Sequence, residues 1–324
     1  MPEAQQFTNI SSRAIKGIFF EEIGKDLNWL ADICMLEDSD QSVETYAGLA
    51  NVPMLKEFLG NRQTTQLTEK TITVTNKDWD TAVEISEKDL RRDKTSQVRR
   101  RIAELASRVS QHQKKLVSQQ IVAGAASTYG TSYTGSTFFN STHVYGPNST
   151  NDNTIDVDIS ALPTGDTTGS HGSITAPSVG EAALSIQAAT NQFYGFLDSE
   201  GEPINEDLTS FIIMAPTTLS AVLQSAIAKD TMAQGMSNPL TRDGLTYRVI
   251  ANARLNTWTD KFVVFATNTL VKPFILQVEL QPTISAQAEG SHVAFERKAH
   301  KYAVDWSGNV RYFAPDKAVL VTMT

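Results

Sequence analysis

Histidine is the side chain in this sequence most able to bind a metal or to transfer protons near neutral pH. The five histidines lie at positions 112, 143, 171, 292 and 300, and none of their separations matches a metal-binding motif. His143 and His171 share a polar stretch with Asp156 and Asp158, where a metal site is the alternative to ordinary loop residues. We expect loop residues, and the sequence predicts that the chain holds no metal.

Carboxylates and glycine-containing loops offer no stronger case for catalysis. The carboxylates between residues 200 and 207 fit a polar turn before a strand better than an acid–base pair. Gly24-Lys25 lacks the upstream glycine of a phosphate-binding loop and is followed by Asp26. Neither H-E-x-x-H nor G-x-S-x-G occurs in the sequence. We therefore predict that the protein is not an enzyme and needs no cofactor.

The composition is that of a chain with a large folded core. Of 324 residues, 40% are hydrophobic and 20% are charged, which excludes disorder throughout. The single cysteine, Cys34, excludes an internal disulfide framework and a site built from several cysteines. The first residues do not resemble a signal peptide, and no run of 18 apolar residues could span a membrane. We expect a protein made in the cytoplasm, without membrane contact.

Positive charge is concentrated in one part of a chain whose net charge is −8. Residues 88–115 hold ten Lys or Arg and three Asp or Glu, a net charge of +7, so the remainder carries −15. Within this part, a basic helix face is formed by Arg99, Arg100, Arg101 and Arg108. Such a face is solvated, contacts another subunit or contacts a polyanion such as packaged nucleic acid, and the sequence leaves these alternatives open.

The elements that position these side chains begin with an alternating segment. Residues 62–86 alternate polar and β-branched residues, which predicts a β-hairpin with a turn at 76–78 and a return strand from Trp79. Because the segment has few strongly apolar residues, we expect an arm that lies over another surface. The residues expected to make those contacts are Lys70, Thr71, Thr73, Lys77, Trp79 and Thr81.

A long helix and a long polar segment follow the predicted hairpin. From residue 96 to about 123, apolar residues recur at steps of three and four, which predicts a helix of roughly 40 Å with one buried stripe that includes Ile102. Residues 124–180 contain no Lys, Arg or Glu and are rich in Ser, Thr, Gly and Asn, which predicts an exposed, dispensable loop. Beyond residue 180, the chain mixes helices at 181–191 and 216–228 with strands, including one at 292–297. The order of elements favours an α+β fold.

Several segments, taken in order, resemble one known family, the major head subunit (T protein) of Mu-like phages. The segments are YAGLANVPMLKEFLGNR (46–62), STFFNSTH (136–143), NQFYGFLDSEGEPINEDLTSFIIMAPTTLSAVL (191–223), SNPL (237–240), LNTWTDKFVVFATNTLVKPFILQVELQP (255–282) and RKAHKYAVDWSGNVRYFAPDKAVLV (297–321). The resemblance implies the tailed-phage capsid fold, the Hong Kong 97 type. It implies an N-terminal arm (1–61), a β-hairpin arm (62–86), a peripheral domain with a spine helix and the polar loop (87–208), an axial domain (209–268) and return strands shared by both domains (269–324).

The resemblance also implies a function and partners. A major capsid protein self-assembles through hexamers and pentamers into an icosahedral shell, with portal, scaffolding and decoration proteins as further partners. Such a shell packages double-stranded DNA without sequence specificity, is assembled in the bacterial host cytoplasm and becomes part of the virion. In the archetype of the fold, a hairpin-arm lysine forms an isopeptide bond with an asparagine; Lys70, Lys77 and Asn309 suggest no complete set here. The alternatives are the shell of an encapsulin-like nanocompartment and an enzyme without a known motif.

Overall fold

The computed structural model describes residues 17–19, 21, 29–49, 69–92, 97–146, 149–162, 173–231, 237–241, 244–288 and 290–324. It is an α+β protein, as the sequence predicts. Its helices are α1 (Leu30–Ile33), α2 (Glu87–Arg92), α3 (Gln97–Val122), α4 (Val179–Tyr194), α5 (Thr217–Ala228) and α6 (His292–Arg297). Its strands are β1 (Cys34–Asp38), β2 (Val43–Leu49), β3 (Glu69–Thr75), β4 (Lys77–Ser86), β5 (His143–Gly146), β6 (Ser149–Asn151), β7 (Thr154–Val157), β8 (Ser210–Ala215), β9 (Thr246–Ala251), β10 (Lys261–Ala266), β11 (Phe274–Gln287), β12 (Ala299–Tyr312) and β13 (Ala318–Met323).

A four-stranded sheet with the order β1-β11-β12-β4 supports the long helix α3. β11 and β12 are antiparallel along most of their length, and β4 pairs with β12 from Ser86 to Lys77. Ile102, Leu105 and Ala106 of α3 are buried against Tyr302 and Val304 of β12. The apolar stripe predicted for the helix is therefore confirmed in the first half of α3. The same packing holds the helix along the sheet.

The second sheet has five strands, in the order β7-β13-β10-β8-β9. Successive residues of its strands enter different cores: Phe211 and Ile213 pack with α4 and α5, whereas Ile212 and Met214 face the other side. A strand that is buried on both faces needs apolar residues at every position. This requirement explains why β8, β10 and β13 are continuous apolar runs in the sequence.

The two sheets share one core at their junction. Val117 and Ile121, near the end of α3, are packed with Phe274 at the start of β11 and with Met214 and Phe265 of the five-stranded sheet. The sheets are thereby joined by side chains that are completely buried. α4 packs against the five-stranded sheet. The predicted division into peripheral and axial domains stays a prediction.

The hairpin predicted for residues 62–86 is wrong in its strand pairing. β3 pairs with β2 in antiparallel register, from Val43–Thr75 to Leu49–Glu69, and β4 pairs with β12. Only Asn76 separates β3 from β4, and one residue cannot reverse the chain because the shortest common hairpin loops have two. The Asn76 side chain instead accepts a hydrogen bond from Gln277 Nε2 (2.8 Å) and donates to the Gln41 carbonyl (2.8 Å). The chain passes through this point from one sheet into the next.

The exposed loop predicted for residues 124–180 is also wrong in its first part. Phe138 and Phe139 are buried in the shared core, and β7 pairs in parallel with β13 at the edge of the five-stranded sheet. The segment forms strands and buries two aromatic rings, so it is not dispensable for the fold. Residues 163–172, within the same prediction, lie outside the described part of the chain.

Three further expectations concern shorter elements. The strand predicted at 292–297 is the helix α6, which is capped at its start by the Ser291 side chain accepting from the Ala294 N–H (3.2 Å). Apolar residues at helical spacing in 26–35 predict a helix, which among the described residues is limited to α1, and the chain turns into β1 at Cys34. Pro53 and Gly60 predict the start and the end of a further short helix. That segment and most of the predicted N-terminal arm lie outside the described residues.

Candidate assembly surfaces

The first candidate surface is the base of the arm formed by β2 and β3. Ile72 and Val74 of β3 are buried against Ile275 and Phe313. The alternate residues Thr71 and Thr73 are exposed on the opposite face. The apolar side thus fixes the arm base to the subunit, whereas the polar side is available for another molecule.

An open cavity of about 410 Å³ lies beside the arm base. Met35, Val271 and Phe313 contribute apolar walls, Leu270 forms part of the rim, and Glu37 supplies a carboxylate. Residues 29–49 hold five carboxylates and no Lys or Arg. Burial, with the Glu37 and Glu44 carboxylates adding to it, raises the pKa of Tyr46 to about 12. The surroundings of the cavity are therefore both apolar and acidic.

A buried polar cluster forms the floor of this cavity. Asp316 accepts hydrogen bonds from the Tyr133 hydroxyl (2.8 Å) and the Tyr145 hydroxyl (3.1 Å), and it pairs with Lys317 Nζ at 2.8 Å. Burial acts to raise the pKa of Asp316, but the Lys317 ammonium and these hydrogen bonds outweigh it, so the pKa lies below its usual value. Lys317 Nζ also donates to Asn205 Oδ1 (2.5 Å). The cluster ties the polar segment to the end of the chain.

His143 is buried in a second network within the polar segment. Its Nε2 lies 3.2 Å from both the Phe138 carbonyl and Asn153 Oδ1, and its Nδ1 lies 2.8 Å from Thr134 Oγ1. A neutral ring that donates from Nε2 and accepts at Nδ1 satisfies these contacts. Burial lowers the pKa of His143, although the Asn153 hydrogen bond acts in the opposite direction. These contacts, all within the polar segment, give His143 a structural position.

The second group of expected contact residues lies on β4. Lys77 and Thr81 are exposed at this edge of the four-stranded sheet. Trp79 is half-buried: its indole N–H donates to the Gly308 carbonyl (3.2 Å), and its ring centroid is 4.4 Å from that of His112. The Trp79 ring thus packs partly within its own chain, and its expected contact with a neighbouring subunit stays a prediction. Lys70, on β3, donates to the Val144 carbonyl (3.0 Å) and holds the arm base against β5.

The third group is the basic face of α3. Arg100, Arg101 and Arg108 are exposed, and Arg108 lies 3.6 Å from Glu104, one helical turn earlier. Arg99 is on the same helix, but its side chain lies outside what the structure describes. The structure brings one member of this group together with two of the residues predicted on β4. Arg108, Trp79 and Thr81 line one open pocket of about 240 Å³ between α3 and β4.

Two large apolar side chains project from the subunit at positions where the sequence did not predict exposure. Leu270, in the loop before β11, is 95% exposed, and Phe295, on α6, is 86% exposed. The alternating pattern of residues 292–297 predicts a strand with one buried face. Because of this prediction, the exposure of Phe295 was not expected. No residue of this short capped helix between two long strands is buried, and four of its six residues are exposed.

Other kinds of site are not found in the described residues. No group of three or more His, Cys, Asp or Glu side chains there is placed to hold a metal ion. Among the helices that the structure describes, none combines the length and apolarity needed to cross a bilayer. The candidate sites are therefore surfaces and the open cavities beside them.

Comparison with known proteins identifies a family and a relative by sequence. Residues 12–167 match the family of the Mu-like prophage major head subunit gpT. The Mu-like prophage FluMu major head subunit of Haemophilus influenzae is 27% identical over 147 residues, which are 43% of this chain and 47% of that protein. The match thus spans about half the length of the curated relative. The resemblance to Mu-like major head subunits is confirmed.

Comparison with solved structures extends the likeness beyond the matched segment. The bacteriophage JBD30 capsid subunit superposes with a TM-score of 0.53 at 18% identity, covering 71% of this chain and 91% of that one. The capsid subunit of cyanophage P-SCSP1u gives a TM-score of 0.55 at 10% identity, covering 100% of this chain and 90% of that one. The chain therefore has the α+β fold of tailed-phage capsid subunits, the Hong Kong 97 type.

Proposed function

We propose that this chain is a major capsid (head) protein, which self-assembles into the icosahedral shell that encloses a tailed-phage genome. The observation that carries the proposal is the agreement of two comparisons. The described chain has the fold of phage capsid subunits, and residues 12–167 match a family of major head subunits. The same observation favours a structural role over an enzymatic one.

The strands β3 and β4 each have side chains that are exposed as well as side chains that pack on their own subunit, and the exposed ones support self-assembly. Thr71 and Thr73 on β3, and Lys77 and Thr81 on β4, point away from the core of their own subunit. In this proposal they contact neighbouring copies within and between hexamers and pentamers. Each contact can be weak, because closure of a shell adds the effects of many copies.

The charges of the subunit suit an enclosed polyanion. In this proposal Arg100, Arg101 and Arg108 face packaged double-stranded DNA and contact its phosphates without reading its sequence. The net charge of −8 on the whole chain keeps other surfaces from binding nucleic acid indiscriminately. Portal, scaffolding and decoration proteins complete the set of proposed partners. Assembly takes place in the host cytoplasm, and the product is the virion.

The test is the size and content of the particles that the chain forms. We expect the 35.5 kDa chain, produced with its scaffolding partner, to form closed particles in negative-stain electron microscopy and light scattering. A soluble dimer or tetramer that never grows would contradict a shell function. Particles that hold a protein cargo and no nucleic acid would instead favour a nanocompartment.

A further inference from the structure

Two exposed apolar side chains lie at opposite ends of β11. Leu270 precedes the strand by four residues, and Phe295 lies on α6 beyond its other end. A strand of 14 residues is roughly 45 Å long, so the two positions cannot meet within one subunit. Both side chains are almost completely exposed, and each lies beside a feature that a second molecule can contact: cations near Phe295 and an open cavity near Leu270.

The Phe295 end has the form of a basic protrusion, which we call the tip (Ser291–Lys298). The Ser291 cap fixes the start of α6, and Lys298 ends it in a left-handed conformation with φ 50°. Arg297 and Lys298 are exposed, and no carboxylate lies within 4 Å of either charge in the part of the chain that is described. The tip thus presents an aromatic ring beside two unpaired cations.

The Leu270 end has the complementary form, which we call the socket: the cavity of about 410 Å³ lined by Met35, Val271 and Phe313. Its volume falls within the range of about 300–1,000 Å³ that holds small ligands, so one aromatic ring fits easily. Glu37 lines the socket and Asp38 follows it in β1. Neither carboxylate has a Lys or Arg within 4 Å among the described residues. Lys317, which also lines the socket, is neutralised by Asp316.

We propose that the socket of each copy receives the tip of a second copy, with Phe295 in the cavity and with Arg297 and Lys298 facing Glu37 and Asp38. Opposite charge and matching apolarity identify the occupant as another copy of this chain. Because tip and socket are different surfaces of one subunit, the contact is head-to-tail, and such contacts propagate into rings or larger assemblies. The inference rests on the proposed shell function, to which it adds one specific contact.

Thiol cross-linking tests the contact directly. Ala47 lines the socket and is exposed, and Glu296 is next to Phe295 on the tip. We expect a chain with Ala47→Cys and Glu296→Cys, treated with a short bis-maleimide, to give a ladder of multimers on denaturing gels. Each single variant has one accessible thiol per copy, because the native Cys34 is buried. A bis-maleimide can therefore join at most two copies of it, and no ladder should form. The matched control is Ala47→Cys with Thr218→Cys, an exposed position on α5, which should give no ladder.

Substitutions that leave the reporter cysteines in place test the chemistry of the contact. Phe295→Ala should slow ladder formation by about tenfold, the loss typical of a buried aromatic anchor, without changing the circular dichroism spectrum. Arg297→Glu should weaken the ladder, and adding Glu37→Lys should restore it. Failure of this rescue would overturn the charge pairing.

The outcomes separate this contact from the shell function. Closed particles without a ladder would overturn the tip–socket contact and leave the shell proposal intact. A ladder without closed particles would support the contact and count against the shell. Absence of both would count against both proposals.

Discussion

Buried polar residues hold the first half of the polar segment against the end of the chain. Asn153 Nδ2 donates to the carbonyl of Phe138 (2.8 Å) and to that of Pro315 (3.1 Å), and the Asn140 N–H donates to Asn153 Oδ1 (2.9 Å). A buried amide with these partners is fully satisfied, so its burial does not carry the usual desolvation cost. A composition rich in Ser, Thr and Asn therefore formed an ordered part of the subunit here.

His143 makes the stability of the subunit depend on pH. Because burial lowers its pKa in the folded state, the unfolded chain, with a pKa near 6.5, binds a proton first as the pH falls. The free energy of unfolding should therefore fall below about pH 6.5, with a slope from this group of at most about 1.4 kcal/mol per pH unit. Below the folded-state pKa, this contribution is lost completely. Urea unfolding of the unassembled subunit, measured from pH 5 to 8, gives the slope.

Two variants isolate the contribution of His143. His143→Gln should be less stable at every pH but should lose this part of the slope. His292→Gln changes an exposed ring on α6 and should keep the slope of the unaltered chain. An unchanged slope in His143→Gln would show that other groups, such as His112, whose pKa is lowered chiefly by burial, cause the pH dependence.

Local sequence patterns predicted the elements that have one dominant periodicity. They failed where the identity of the partner strand determines how a segment is paired. The stripe of α3 and the apolar runs of β8 and β10 were recognisable because their own residues carry the signal. The partner of β3 could not be read from alternation, since residues 43–49 and 77–86 alternate equally well. Similarly, residues 292–297 have too few turns to show a helical period, and the Ser291 cap was the available signal. The acidic socket depends on contacts between β1, β2 and the polar segment that no local pattern contains.

The buried stripe of α3 predicts different effects for two adjacent substitutions. Ile102 is completely buried and Arg101 is exposed. Ile102→Asp places a carboxylate in the core and should lower the free energy of unfolding by about 3–5 kcal/mol. Arg101→Asp should change it by less than about 0.5 kcal/mol. Circular dichroism during urea titration of the subunit measures both values.

A third variant keeps this prediction testable if Ile102→Asp does not fold. Ile102→Ala removes the same side chain without adding a charge and should cost about 2–5 kcal/mol. A cost near zero for Ile102→Ala would mean that the stripe does not pack on β12 and that α3 is held by its ends alone.

At the scale of the whole molecule, folding and assembly use different parts of the subunit. The shared core joins both sheets through completely buried side chains, so the subunit does not depend on its neighbours for a core. The outward residues of β3, the edge of β4, the basic face of α3, the tip and the socket lie outside that core. The proposed shell function requires a subunit that is folded before assembly, and this separation meets that requirement.

The connection between β2 and β3 offers a direct test of that separation. The arm base is closed by the β2–β3 pairs that start at Val43–Thr75 and by Ile72 and Val74, which are buried in the core. Replacing residues 50–68 with a short Gly-Ser turn should therefore leave the free energy of unfolding within about 1 kcal/mol, since the closure entropy of a connection changes only slowly with its length. The same change should abolish closed particles, because in the proposed shell the arm contacts neighbouring copies. Electron microscopy and urea unfolding of one preparation measure both effects, with a variant of 50–68 scrambled in sequence but equal in length as the control. An unfolded subunit would mean that residues 50–68 belong to the core, and normal particles would place the assembly contacts on the remaining surfaces.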